Sequence, residues 1–413
     1  MGRPTSGVTR RAALTGATLL GVGAATQRFL GGSAASRDEP AQAAAIAFHG
    51  PHQAGIATPQ QAHLSFAAFD VTTGSRARLR ELLREWTAAA HALTAGVAYD
   101  RARTAAGDPG EAVGLGPARL TLTFGFGPGL FGTPDASRFG LGAAKPRALA
   151  PLRAFAGQRL EPSDSGGDLC VQACADDPQV TFHAIHVLAG LAGTDTSLRW
   201  IQQGFRAQPL ERGQTSRNLI GFKDGTNNID TGDAATMSRF VWVRSPAWMR
   251  GGTYLVARRI QIVFPGWDGL DLSQQERAIG RYKSSGAPLG ARNEHDAPDL
   301  TATDARGNEV IPVDAHIRVA GPEHNGGQRM LRRGYSFSSG VTTGSLRHGG
   351  HQVDGGLFFI AMARDPRRQV IPILDKVSTR DALSTFTMHT DGAIFACPPG
   401  CRPGGYVGEQ LLG

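Results

Sequence analysis

Apolar positions along this chain fall into two alternating spacings. Short runs with a period of two mark strands, and runs spaced three and four apart mark helices. Residues 64–70 read as a strand. Over residues 76–93, Leu79, Leu82, Leu83, Trp86 and Ala90 share one helical face. Leu120, Leu122, Phe124 and Phe126 alternate as a half-buried strand does. Residues 169–175 read as another strand. Asp176-Asp177-Pro178 then supplies a cap and an early proline for a helix running to residue 191. Residues 198–205 return as a strand. The order is β-α-β-β-α-β, the ferredoxin-like unit.

The second half repeats that order. Residues 253–264 read as a long strand and 273–282 as a short helix. Residues 330–337 read as extended and 356–363 as a strongly apolar strand. Residues 365–383 contain a helix, and 393–397 form a last short strand. The halves share element order and no visible sequence identity. The expected fold is therefore α+β, with two ferredoxin-like β-α-β-β-α-β modules at residues 45–215 and 216–413. Two long irregular stretches, 127–168 and 286–327, interrupt the pattern. Loops of that length in a compact domain usually carry function.

At 413 residues, with 41% apolar and 19% charged positions, the chain reads as a soluble globular protein with room for two cores. The net charge of +8 rests on arginine, since lysine occurs only at Lys145, Lys223, Lys283 and Lys376. Those arginines are scattered and aromatics make up 7%, which excludes a basic, aromatic-interleaved nucleic-acid face. An anionic substrate or cofactor edge is the better use of the excess. The N-terminus carries Arg10-Arg11 ahead of a weakly apolar stretch, residues 12–25, that is too short to span a membrane. It reads as a twin-arginine signal covering residues 1–44, an address for export of a folded protein. Cys397 and Cys401 flank Pro398-Pro399-Gly400 and stand either as a bridge or as free thiols; Cys170 and Cys174 lack the histidines of a zinc site. His49 and His52, three apart in a Gly/Pro-rich loop, are structural residues or metal ligands.

The candidate chemistry lies in three segments. Gly221-Phe222-Lys223-Asp224-Gly225 sets one carboxylate between glycines, as a surface hairpin turn or as a positioned proton acceptor. Asp314-Ala315-His316-Ile317-Arg318 holds a single histidine, and Leu331-Arg332-Arg333-Gly334-Tyr335 a pair of arginines amid apolar neighbours. In that chain order the three segments resemble the dye-decolourising peroxidases, a family of haem peroxidases, and the resemblance runs from residue 45 to the C-terminus. Pro51-His52-Gln53-Ala54-Gly55-Ile56 is similar to the start of the mature chain in that family's exported, iron-uptake-linked branch.

The resemblance implies two modules whose antiparallel sheets pack together as a dimeric α+β barrel, with one haem b held by the C-terminal one. It implies His316 as the proximal iron ligand, Asp224 as the distal acid-base and Arg332 as the distal charge stabiliser, with Arg333 as a stand-in. It further implies haem contacts from Lys223, Asp224, Gly225, Gly321, Pro322, Glu323 and Arg332. Glu323 departs from the arginine expected there, and a carboxylate is a poor neighbour for a haem propionate. Tyr335, Trp242 and Trp267 are candidates for relaying electrons to a bulky donor, although each also suits an ordinary core. The implied partners are hydrogen peroxide, an organic electron donor and the twin-arginine export machinery, with a homo-oligomer and an iron-uptake system as further ones. The implied location is the periplasm, the cell surface or the medium. Release of iron from haem with the porphyrin intact, and non-enzymatic haem carriage, are the competing readings.

Overall fold

A computed structural model describes residues 44–99, 107–133, 135–209, 214–342 and 352–413. The twin-arginine segment lies outside the described residues. The first half contains β1 (His63–Val71), α1 (Arg76–Thr94), β2 (Thr121–Phe126), β3 (Leu169–Ala175), α2 (Pro178–Ala192) and β4 (Thr196–Phe205). Asp177 caps α2 by accepting from the amides of Gln179 and Val180, with Pro178 in the first turn, as the sequence predicts. The second half contains α3 (Ala234–Phe240), β5 (Thr253–Ile262), α4 (Phe264–Asp268), α5 (Leu272–Ile279) and α6 (His316–Ala320). It continues with β6 (Leu331–Arg332), β7 (Tyr335–Thr342), β8 (Gln352–Ala363), α7 (Val370–Arg380), β9 (Thr387–Cys397) and α8 (Glu409–Leu412).

Both halves pair their strands in the ferredoxin-like way. The first gives β4-β1-β3-β2 and the second β9-β5-β8-β7, all antiparallel, with β6 on the same edge of β8 as β7. Single residue pairs join the two sheets, Phe126 with Ala396 and Phe205 with Ser336. Together these pairings close the strands into a ring, so the fold is an α+β barrel. Glycine permits the approach at both seams. A Cβ on Gly204 would lie 2.7 Å from Tyr335 Cβ, and one on Gly125 2.8 Å from Phe395 Cβ of β9.

Alternation along each strand sorts the core into two layers. Leu64, Phe66, Leu255, Ala257, Phe358 and Phe395 point into the barrel. Phe69, Tyr254, Val256 and Ala361 point outward under the helices, where Trp86 of α1 and Leu374 of α7 cover them. Two strands run longer than the sequence predicts. β9 starts at Thr387, because its first residues, Thr387-Met388-His389-Thr390-Asp391-Gly392, are mostly polar and conceal a strand that pairs with β5 apart from a bulge at Thr390. β8 starts at Gln352 for the same reason. The four cysteines are free thiols. Cys397 belongs to the interior layer and Cys401 to the outer one, so Pro398-Pro399-Gly400 carries them apart.

Candidate active site

The glycine-flanked carboxylate sits on a tight hairpin. Arg217 bridges Lys223, Gly221 N–H donates to Asn218 O at 3.0 Å, and Asp224 N–H donates to Ser216 O at 2.9 Å. Gly225 takes φ +126°, a conformation that side chains rarely adopt, so the residue after the carboxylate must be glycine. The Arg217 guanidinium ties this hairpin to the carbonyls of Lys283 and Ser284 at 2.6 and 2.8 Å. Lys223 pairs with Glu294, which also accepts from Thr226 Oγ1 at 2.9 Å. Burial raises the Glu294 pKa, but the hydrogen bonds from Lys223, Thr215 and Thr226 together outweigh it and hold the carboxyl at about 2. The Lys223 ammonium is thus committed to the hairpin's own support.

Arg332 meets Asp224 directly, Nη1 donating to Oδ1 at 3.1 Å. The two side chains are 32% and 31% exposed, and both line a cleft of about 420 Å³. Gly225, Asn228, Arg206 and Gln60 line it too, and Leu357 and Phe359 give it an apolar wall on the outer face of β8. The Asn228 side-chain amide clamps the arginine's backbone: Nδ2 donates to Arg332 O at 2.7 Å, and Oδ1 accepts from Arg332 N–H at 2.9 Å. Arg333 points the other way, as strand alternation requires. Its guanidinium is buried and donates to Thr58 O at 2.5 Å, so it does not replace Arg332 in this cleft.

His316 is the first residue of α6. Its Nδ1 lies 2.5 Å from Oδ2 of Asp381, whose side chain is fully buried. The other Asp381 oxygen accepts from Leu383 N–H at 2.9 Å, and Ala382 N–H donates to Asp314 O at 2.9 Å, which pins the two segments together. Arg318 is buried and donates to Leu300 O and Ile311 O, anchoring the long loop that carries the histidine. His316 and Arg318 thus each have a local structural task, while Asp314 takes part through its backbone carbonyl. Burial lowers the His316 pKa, yet the Asp381 carboxylate more than compensates and leaves it raised; the charges of Arg332 and Asp224 also reach the ring. A carboxylate at Nδ1 fixes the tautomer that leaves an Nε2 lone pair free for a metal. Nε2 has no partner among the described residues, and the side chain remains 34% exposed.

The remaining candidates scatter. Gly321 ends α6, and Glu323 is exposed on the short turn that follows, outside the cleft. Asn325 closes that turn by donating to Val319 O and Gly321 O. His52 stacks on Trp242 with centroids 3.7 Å apart, while His49 lies against His91 at 4.8 Å. No group of three or more metal-ligating side chains occurs among the described residues. Trp267 and Tyr335 are fully buried. Sequence reasoning missed Asp381, Asn228 and Arg206. Asp381 reads locally as a turn cap and Asn228 as one of several small polar residues, and nothing nearby points to partners 65 and 104 residues away.

Two family models cover most of the chain: Dyp-type peroxidase, N-terminal, over residues 53–206, and Dyp-type peroxidase, C-terminal, over residues 215–402. The chain belongs to the Dyp-type peroxidase family. Among relatives of this family member is a dye-decolorizing peroxidase of Thermobifida fusca, 37% identical over 376 residues that span 87% of this chain and 83% of the relative. A deferrochelatase of Escherichia coli is 36% identical over 379 residues, 88% of this chain and 86% of its own. Among solved structures, the oxyferrous complex of DtpA from Streptomyces lividans is 40% identical with a TM-score of 0.83, covering 90% of this chain and 99% of that one.

Proposed function

We propose that this Dyp-type peroxidase binds one haem b between His316 and the Asp224–Arg332 pair, reduces hydrogen peroxide there and oxidises an organic donor. The reading is carried by one observation. An imidazole held by a buried carboxylate, with its second nitrogen free, lies within electrostatic reach of an arginine–aspartate pair at 3.1 Å. The residues fit the cofactor: the free Nε2 of His316, which is not among the residues lining the cleft, would ligate the iron. Leu357 and Phe359 form an apolar wall of the cleft, and Arg206 and Arg332 supply positive charge for an anionic edge. Gly225 keeps the wall beside Asp224 free of a side chain. Gly321 is buried at the end of the helix bearing His316, whereas Pro322 and Glu323 are not among the residues that line the cleft.

When bound, haem iron supplies the two-electron reduction of peroxide. The protein's own work is proton handling and charge stabilisation. Asp224 would accept a proton from one peroxide oxygen and deliver it to the other, which would leave as water. The Arg332 guanidinium, permanently charged, stabilises the negative charge that grows on that oxygen. Asp381 keeps the His316 imidazole oriented and electron-rich. A protein that only carries haem has no need of the Asp224–Arg332 pair. The test is a titration of wild type and His316→Ala with haem, followed at the Soret band; an unchanged spectrum in the variant would refute the ligand assignment.

Release of iron from haem is the second reading, favoured by the similarity to a protein named deferrochelatase. Dye oxidation with peroxide, run beside anaerobic assay of free porphyrin, separates the two. Residues 1–44 serve in this reading as a twin-arginine signal, which moves folded, cofactor-loaded protein to the periplasm, surface or medium. The mature chain then divides into the modules 45–215 and 216–413, the second holding the haem.

A further inference from the structure

The barrel interior opens at one end into a second cleft, of about 1390 Å³, that shares no lining residue with the Asp224–Arg332 cleft. Its floor is aromatic. Trp200 of β4 is stacked on Phe66 at 5.3 Å and stands edge-on to Phe358 at 6.3 Å. The indole is fixed by Nε1 donating to Gly166 O at 2.9 Å, and the ring stays partly exposed.

Its wall is acidic. Asp354 comes from β8, Asp391 from β9, and Glu161 and Asp164 from the loop before β3. The cations there are Arg159 and Arg259. Arg259 is spent on other groups: Nη2 on Asp354 at 2.6 Å, Nε on Gln202 Oε1 at 3.1 Å, Nη1 on Thr390 Oγ1 at 3.2 Å, with its plane over Phe337 at 4.1 Å. It reaches Asp391 only at 3.9 Å. Asp391 Oδ2 accepts from Thr390 Oγ1 at 2.7 Å, while Oδ1 is buried without a partner among the described residues. A cleft with surplus carboxylate on a chain of net charge +8 is a local reversal of sign.

We propose that this cleft binds a cationic aromatic molecule, its ring against Trp200 and its positive charge against Asp391, Glu161 and Asp164. The ring gains a stacking face, and the charge gains carboxylates in a half-enclosed site where water screens them less. An anionic aromatic of equal size meets repulsion. Burial, followed by the nearby charges of Asp164 and Glu161, raises the Asp391 pKa to about 6 against the opposing pull of Thr390 and Arg259. Asp391 is therefore ionised above that pH and neutral below it, so a cation binds more tightly on the alkaline side. The groups around it are Glu161, Asp164, Thr390 and Arg259, the last held by Asp354, and the exposed Arg159 shares the cleft wall.

The test is calorimetric titration of the haem-loaded protein with methylene blue, and separately with anthraquinone-2-sulfonate, at pH 8 and pH 5. The expected result is one methylene blue per chain at pH 8, with affinity roughly five- to tenfold lower in Asp391→Asn and in Glu161→Gln/Asp164→Asn. Trp200→Leu weakens it too, pH 5 weakens it in wild type but not in Asp391→Asn, and the sulfonate does not compete. Glu161 and Asp164 are exposed, so their double variant decides the matter even where Asp391→Asn fails to fold. Wild-type affinity in the double variant, equal binding of the sulfonate, or tighter binding at pH 5 would each overturn the proposal.

Discussion

Replacing Asn228 by alanine tests how the distal pair is held in place. The side chain makes two hydrogen bonds to the backbone of Arg332, at 2.7 and 2.9 Å. β6 is only two residues long, and its pairing to β8 rests on Leu331 with Met362 and Arg332 with Ala361. The clamp is therefore a large share of what fixes this strand on its other edge. Two part-buried hydrogen bonds contribute about 2 kcal/mol, and leaving the Arg332 N–H and C=O unmatched raises the loss to about 2–4 kcal/mol. Against a typical stability of about 5–15 kcal/mol, the variant still folds. Its Arg332 is less well placed against Asp224, and a displacement of about 1 Å at a reacting group costs about a hundredfold in rate.

Urea unfolding gives the first number, and stopped-flow reaction of the haem-loaded protein with peroxide the second. Asn228→Asp refines the test, since it keeps the acceptor for Arg332 N–H but removes the donor to Arg332 O. It should fall between wild type and alanine in stability. Alanine and aspartate variants that match wild type in both stability and peroxide rate would show that β6 is positioned without the clamp.

Asp224→Asn should slow the reaction with peroxide by roughly 10²–10⁴-fold, and Arg332→Leu comparably, while haem binding by either variant is retained. Arg333→Met, whose side chain lies on the other side of the strand, should lower stability and leave that rate within about threefold of wild type, well inside the span of one catalytic group. His389 is buried beside Arg258, and burial first, then that charge, lowers its pKa to about 3. Its folded-state pKa lies below the unfolded one, so the neutral ring stabilises the fold above pH ~6.5, and that contribution is lost as pH falls toward about 3. His389→Gln should therefore flatten the fall in unfolding free energy between pH 6 and pH 4 by up to about 1.4 kcal/mol per pH unit; an unaltered slope refutes the assignment. Lysines in place of Arg10 and Arg11 should strand the precursor in the cytoplasm, read by cell fractionation.

Local chemistry along the chain determined much of this protein. Periods of two and near four, with Asp177 and Pro178 at a helix start, laid out both β-α-β-β-α-β halves, because side-chain direction in strands and helices depends only on neighbouring residues. Gly221-Phe222-Lys223-Asp224-Gly225, His316 and Arg332 stood out as candidates through their resemblance to one family's motifs, which are short and contiguous and so can be matched without tertiary structure. Tertiary structure decided what such motifs cannot encode. The polar start of β9 becomes a strand because β5 offers it partners on both sides of a bulge at Thr390. Arg332 and Arg333 are equivalent as neighbours in sequence, and only the direction of β6 sends one into the cleft with Asp224 and the other toward Thr58. Asp381 becomes the histidine's partner because α7 ends beside α6, and Asn228 becomes a clamp because its turn lies alongside β6. Those pairings depend on where distant segments meet in space, and residue spacing along one chain carries no record of that.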